Sequence, residues 1–229
     1  MIQADVTVDP SQFGPELARA WASTIQEALA KAAPVAQRDA RVLFRRALTR
    51  RIEYQALFQR VHTPSAIGLQ GEFGLDDPGS QAGEVVDLAA EALTITPMPV
   101  RASWFGLGRV TDFGGLRATI VPSDLSFLTD YDVGWFMSEN GFEVPWLKWL
   151  LERGTDVIID DYYVMYGTGS PKSRTDDPIM VKSGKGGKNF RIKQYYAGVP
   201  GDNWITRAAQ DAVPAISATM EKAVRRELS

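Results

Sequence analysis

The stretch 144–167, VPWLKWLLERGTDVIIDDYYVMYG, constrains the fold most, because helix start, helix stop and strand follow one another without a gap. Pro145 suits a first helical position, and Trp146, Trp149, Leu150 and Arg153 fall at i, i+3, i+4 and i+7, with Leu147 and Leu151 widening the apolar side. Gly154 ends that helix. Residues 155–166 then change to a β-branched and aromatic run containing Val157, Ile158, Ile159, Tyr162, Tyr163, Val164 and Tyr166, which predicts a long strand. The fold class that follows is α+β: an antiparallel β-sheet flanked by N-terminal helices, a short Trp-rich helix and a C-terminal helix.

The remaining elements are read from periodicity and turn chemistry. Val6 and Val8 alternate with polar neighbours in a short strand or arm closed by Asp9-Pro10. Residues 15–33 are helical, with Leu17, Trp21, Ile25, Ala28 and Leu29 on one side. Pro34 predicts a sharp kink or two separate helices, since proline removes a backbone donor and clashes with the preceding turn. The second helical segment, about 35–60, takes Leu43, Ala47, Leu48, Tyr54, Leu57 and Phe58 into the core. Between 67 and 121 the runs 69–73, 84–95, 100–105 and 116–121 read as strands, separated at Asp76-Asp77-Pro78-Gly79, Pro97-Met98-Pro99 and Phe113-Gly114-Gly115. Such closely spaced strands favour antiparallel pairing.

Further on, 123–128 reads as one helical turn capped by Ser123, and 131–138 as a strand carrying Trp135 and Phe136. Residues 168–189 form a long irregular segment interrupted by Ile179-Met180-Val181, and 190–196 reads as a strand. Asp202 or Asn203 caps a final helix with the stripe Ile205, Ala209, Ala212, Ile216, Met220 and Ala223; Pro214 predicts a kink, and Lys222, Arg225 and Arg226 occupy its last turn. There is no repeat, no low-complexity tract and no linker. The expectation is a single α+β domain over 1–229, with a helical segment at about 13–60, a β-rich body at about 65–200 and the last helix at about 202–228; a split near residue 65 is the alternative.

Residue counts narrow the chemistry. Without cysteine, thiolate nucleophiles, disulfides, iron–sulfur clusters and cysteine-based zinc sites are excluded. His62 is the single histidine, so a catalytic triad or an imidazole metal site would have to be built on it; its setting, Arg60-Val61-His62-Thr63-Pro64, is a helix exit into a turn, and a structural role outweighs a catalytic one. No cofactor is expected. Net charge is −3, which lacks the overall basicity of a nucleic-acid binder. The first twenty residues lack the basic and apolar regions of a secretory signal, and no apolar run approaches the ~20 residues of a membrane span, so a soluble, cytoplasmically made protein is expected.

Three motifs invite a functional reading. The basic helical segment holds Arg38, Arg41, Arg45, Arg46, Arg50, Arg51 and Arg60 against Asp39 and Glu53 alone. Such a face can meet DNA or an acidic partner, although a solvated amphipathic face is the commoner origin. The loop stretch from 178 to 194 carries Lys182, Lys185, Lys188, Arg191 and Lys193 and no acid. Neither its glycines nor those at 167–169 satisfy the phosphate-loop pattern, since Pro171 and Asn189 stand where that pattern needs glycine and a hydroxyl. Asp160 and Asp161, as neighbours in a strand, would point to opposite faces and could not act on one substrate. Asp76-Asp77 and Asp176-Asp177 precede prolines and read as turns. No enzyme signature survives. The aromatic residues Trp104, Trp135, Trp146, Trp149, Tyr162, Tyr163, Tyr195, Tyr196 and Trp204 cluster in roughly the last 130 residues, as in cores and in interfaces.

The helix PWLKWLLERG, the run VIIDDYYVMYG, Ser173-Arg174 with Ile179-Met180-Val181-Lys182, and Tyr196-Ala197-Gly198 through Asp202-Asn203-Trp204-Ile205-Thr206-Arg207-Ala208 resemble the C-terminal half of neck or tail-completion (head–tail connector) proteins of tailed bacteriophages. The resemblance covers roughly the last 100 residues; the first 130 share only the order of elements. It implies a non-enzymatic virion protein, assembled in the host cytoplasm, forming a ring of about six or twelve copies at the head–tail junction. Its partners would be further copies of itself, portal or adaptor and tail-terminator proteins, and DNA passing through the channel without sequence specificity; no membrane is involved. Under that reading Trp146, Trp149, Leu150, Ile159 and Trp204 form the core of the family-like motif, and Lys172, Arg174, Lys182, Lys185, Lys188, Arg191 and Lys193 form an interface. The alternative is a DNA-binding protein using the arginine helix and the 182–193 loop.

Overall fold

The computed structural model describes residues 1–7, 15–58, 68–69, 73, 78–103, 109–122, 124–130, 132–137, 143–165, 179–183 and 187–229. The chain is α+β with antiparallel strands. It divides into two compact units interleaved along the sequence: Met1–Ala47, Ala90–Ser123 and Ala209–Ser229 form the first, and Leu48–Ala89 and Asp124–Ala208 the second. No cut near residue 65 separates them.

The first unit is built on helix α1 (Pro15–Arg50), most of which it contains. Ile25, Ala28, Leu29, Ala32, Ala33, Ala36, Ala40 and Phe44 are buried at helical spacing. The helix is continuous through Pro34, which corrects the expectation of two helices. Pro34 is exposed, and burial of this long stripe on both sides of it outweighs the one hydrogen bond that proline withholds. The three-stranded sheet has β5 (Gly115–Val121) between β1 (Ile2–Thr7) and β2 (Thr94–Met98), all antiparallel. Being central, β5 buries Leu116, Ala118, Ile120 and Val121, whereas Pro97 sits in an edge strand, where its missing donor costs least. Gly114, at φ 76°, makes the turn into β5 from β4 (Arg109–Asp112), which pairs with β3 (Arg101–Ser103). Gln37 and Gln26 on α1 accept hydrogen bonds from the Ile95 and Val100 amides, at 2.9 and 3.1 Å, tying the flanks of β2 to the helix.

Unit two begins with the end of α1 and the short helix α2 (Ile52–Ala56), then most of α3 (Pro78–Glu91). Residues 84–95 were expected as a strand, yet Ala82, Val85, Val86, Ala89 and Ala90 are buried at i, i+3, i+4, i+7 and i+8, and α3 is a helix opened by Pro78 rather than a turn. Leu69 and Phe73 are likewise helical, not strand, while 70–72 lie outside the described residues. Helix α4 (Ser126–Thr129) has Leu125 at its N-cap, and the carboxylate of Asp124 before it accepts from the Ser126 amide and hydroxyl at 2.8 Å each; the expected cap, Ser123, lies outside the described residues. The expected strand 131–138 is a 3-10 turn (Asp132–Gly134) followed by a two-residue strand β6 (Phe136–Met137), paired with β7 (Glu143–Val144).

Helix α5 (Trp146–Glu152) has Pro145 at its N-cap rather than at its expected first helical position, and it stops before Gly154, φ 57°, as its sequence predicts. The long strand does not follow. Residues 155–161 are turns held by one bridge between Ile159 and Phe190, and only β8 (Tyr162–Met165) is strand, paired with β9 (Ile179–Lys182). The stretch 190–196 is likewise turn rather than strand beyond that bridge. The Trp-rich helix therefore belongs to a different unit from the three-stranded sheet, and the expected single sheet is one such sheet plus three two-stranded ribbons among the described residues. Helix α6 (Trp204–Leu228) buries the whole predicted stripe, Ile205 to Ala223, and continues through Pro214.

Core membership departs from expectation at particular residues. Trp21 and Phe58 are exposed at 46% and 44%, and Leu43, Ala47, Tyr54, Trp149 and Ile159 are half-buried. Phe44, fully buried one position from Leu43, is what the stripe selects instead.

Candidate functional site

The end of α5, residues 197–203 and the start of α6 meet at one elbow of the second unit. The end of α5 pairs with Gly198 twice, Gly154 N donating to Gly198 O at 2.8 Å and Gly198 N to Leu150 O at 3.0 Å. A Cβ on Gly198 would come within 2.7 Å of the Leu150 carbonyl and 2.6 Å of Asn203 Cβ, so only glycine allows this approach. Asn203, fully buried, caps α6: its Oδ1 accepts from the Ile205 and Thr206 amides at 3.1 Å, while Thr206 Oγ1 accepts from the Asn203 amide at 2.8 Å. This is a capping box with threonine in the reciprocal role. Trp204 and Trp146 have no exposed surface, and each indole donates to a carbonyl, Leu48 O and Val133 O, at 3.1 Å. Leu150 is buried as expected; Trp149 is half-buried, its ring 6.5 Å from Phe73 and 6.1 Å from Phe190.

Arg207 closes the elbow. Its guanidinium donates to Asp202 at 2.7 Å, to the Ala197 carbonyl at 3.1 Å and to Glu53 at 2.9 Å. Glu53 has no exposed surface and also accepts from Arg51 at 3.3 Å. The bond to Asp202 holds the Arg207 pKa above its ordinary value. This buried acid was missed from sequence; the one signal was its position among the arginines of 35–60, where only Asp39 accompanies it. Beside it, burial and then the charge of Asp87 raise the Tyr54 pKa.

The arginine helix is partly consumed by the fold. Arg41 donates to Glu91 O at 2.7 Å and Leu93 O at 3.3 Å, satisfying carbonyls at and after the end of α3. Arg51 faces Glu53, and Arg38 pairs at the surface with Asp39 at 3.0 Å. Arg45, Arg46 and Arg50 are exposed, and Arg60 lies outside the described residues.

Of the predicted interface, Lys172, Arg174 and Lys185 lie outside the described residues, as do His62, Trp104, Asp76, Asp77, Asp176 and Asp177. Lys182, Lys188, Arg191 and Lys193 are all exposed. Lys182 ends β9 opposite Tyr162, and Lys188 rests its ammonium 4.9 Å from the Tyr163 ring centre. Ser183 ties these together, its amide donating to Asp161 O at 2.6 Å and its hydroxyl to Lys188 O at 2.8 Å. Asp160 and Asp161 occupy a turn, Asp161 at φ 59°, so the expected alternation of a strand does not apply to them. Among the described residues no group of three or more His, Asp or Glu is placed to hold a metal ion, and no helix is long and apolar enough to cross a membrane.

Comparison with protein-family models, with curated protein sequences and with solved structures returns no match.

Proposed function

We propose that this protein is a non-enzymatic ring subunit of a tailed-phage head–tail junction, joining the portal or adaptor side of a capsid to the tail-terminator side around the DNA channel. The observation that supports the reading is that two of the resembling segments, the end of α5 and residues 196–208, meet at the elbow of the second unit. Gly198, Asn203, Trp204 and Arg207 there have interlocking structural duties rather than chemical ones. A rigid elbow beside an exposed basic ribbon suits adhesion between subunits by shape and charge. The alternative, duplex binding through the arginine helix and the 182–193 loop, is weakened at the helix, where Arg41 and Arg51 are spent on carbonyls and on Glu53.

Electron microscopy of particles assembled with and without the protein tests the proposal. A ring of this chain between head and tail, and heads that fail to join tails in its absence, are expected. Normal joining without it, together with salt-sensitive duplex binding by the isolated protein, overturns the reading in favour of the alternative.

A further inference from the structure

The described charges of the second unit are sorted by sign along the chain. Between Arg117 and Lys148 there is no lysine, arginine or histidine, and between Pro178 and Gly201 there is no acid. From the first stretch Asp130, Asp132 and Glu143 are exposed, and from the second Lys182, Lys188, Arg191 and Lys193. Both stretches belong to the same unit, yet among the described residues no ion pair joins them.

The two carriers differ in how completely they are covered. The acidic carrier is anchored: Trp135 Nε1 donates to Thr129 O at 2.7 Å, Trp146 Nε1 to Val133 O at 3.1 Å, and a Cβ on Gly134 would meet the Leu128 carbonyl at 2.8 Å. The basic carrier is the β8–β9 ribbon together with the turns of 187–196, which hold Lys188, Arg191 and Lys193. Its register puts Tyr162, Val164, Met180 and Lys182 on one face; the first two are half-buried, Lys182 is exposed and Met180 is 42% exposed. Two-stranded ribbons are marginal alone and gain most from a covered face.

We infer that the exposed cations carried by β9 and by the turns after it dock a second copy of the same chain, with Lys182, Lys188, Arg191 and Lys193 of one copy meeting Asp130, Asp132 and Glu143 of the next. The occupant follows from charge complementarity, since the chain itself carries the matching stretch of acids without cations, and among the described residues no ion pair joins it to the basic one. One chain bearing two different complementary patches makes a heterologous contact, which propagates head to tail and closes when the rotation permits. The inference rests on the ring reading for its closure; the pairing stands on the charges.

Zero-length carbodiimide cross-linking of the full chain, mixed as light and nitrogen-15-labelled copies, tests it. Expected are cross-links between copies from Lys182, Lys188 or Lys193 to Asp130, Asp132 or Glu143. Lys182→Glu with Lys193→Glu, and separately Asp130→Lys with Asp132→Lys, should each weaken self-association by about tenfold or more, and an equimolar mixture should restore it. These side chains are exposed, and circular dichroism checks that each variant folds. The absence of such intermolecular cross-links, or variants that associate as the unaltered protein does, overturns the inference. Rings with cross-links elsewhere also overturn it while leaving the ring reading intact. The expected cross-links without any ring at a head–tail junction would sink the proposed function alone. Lysine variants that lose only salt-sensitive duplex binding would reassign the ribbon to nucleic acid.

Discussion

Cutting the two sides of the Glu53 clasp should have unequal costs, and the inequality follows from where each partner sits. Glu53 has no exposed surface, so a carboxylate left there with fewer donors carries a desolvation penalty that water cannot relieve. Arg207→Ala removes its 2.9 Å donor and leaves the more distant Arg51 contact at 3.3 Å. Breaking a buried pair in this direction costs about 3–5 kcal/mol. Glu53→Ala strands much less. Arg207 keeps Asp202 at 2.7 Å and the Ala197 carbonyl at 3.1 Å, and its side chain is 24% exposed, so the loss is about 2 kcal/mol. Glu53→Leu, which fills the space without a charge, should cost less again.

Urea unfolding followed by tryptophan fluorescence separates these variants, because Trp204 lies within the same elbow, its ring 5.9 Å from that of Tyr54. With a slope of about 2 kcal/mol per molar urea, the Arg207→Ala midpoint falls by about 2 M and the Glu53→Ala midpoint by about 1 M. The order is the decisive result. Glu53→Ala costing more than Arg207→Ala, or both costing under about 0.5 kcal/mol, would mean that the carboxylate is solvated and the clasp is an ordinary surface pair.

Trp146→Ala should lose about 3–5 kcal/mol and Trp149→Ala clearly less, since only Trp146 is fully buried with its indole bonded; equal midpoint shifts in urea would contradict their different burial. Gly198→Ala should cost about 1–3 kcal/mol or more in the same assay, because the atoms it would strike include a backbone carbonyl, whereas Gly201→Ala meets nothing within 4 Å and carries only the strain of φ 87°, about 1–2 kcal/mol. The raised pKa of Tyr54 gives a stability that is full below its unfolded value near about 10 and lost as pH rises through the folded value. Thermal melts across that alkaline range should show a shallower decline for Tyr54→Phe, and an unchanged slope would count against the burial assigned to its hydroxyl.

Helix α5, its glycine stop and the α6 stripe were legible because each is a local pattern of helical spacing or a residue that tolerates positive φ, whereas the choice of Asn203 over Asp202 as the α6 cap needed the structure. Helix α3 was not, since valines at 85 and 86 favour strand by propensity while the burial that decides the matter is periodic over 82–90. The run 155–166 failed for the opposite reason. Its composition is that of a strand, but pairing partners are supplied only at Ile159 and from Tyr162 onward, and Asp161 adopts a left-handed turn between them. Propensity describes a residue's own preference; strand formation also needs a neighbour in register.

The basic residues show the same limit with a functional consequence. In sequence, the arginines of 38–51 form the denser basic run and invite a nucleic-acid reading ahead of the scattered lysines near 190. What a partner can use, however, is the charge that folding leaves unpaired, and that quantity depends on groups distant in sequence. Arg41 meets carbonyls 50 and 52 residues away, and Arg51 turns to an acid that Arg207 reaches from 154 residues away. The lysines of β9 and the turns after it make no comparable commitment: Lys182 and Lys193 are exposed, and the Lys188 ammonium lies over the face of Tyr163. Ranking basic segments by density therefore favours the helix, whereas ranking them by available charge favours the ribbon. Available charge is the term that enters an association free energy, so reversing Lys182 and Lys193 should disturb assembly more than reversing Arg41, whose loss should register first as instability.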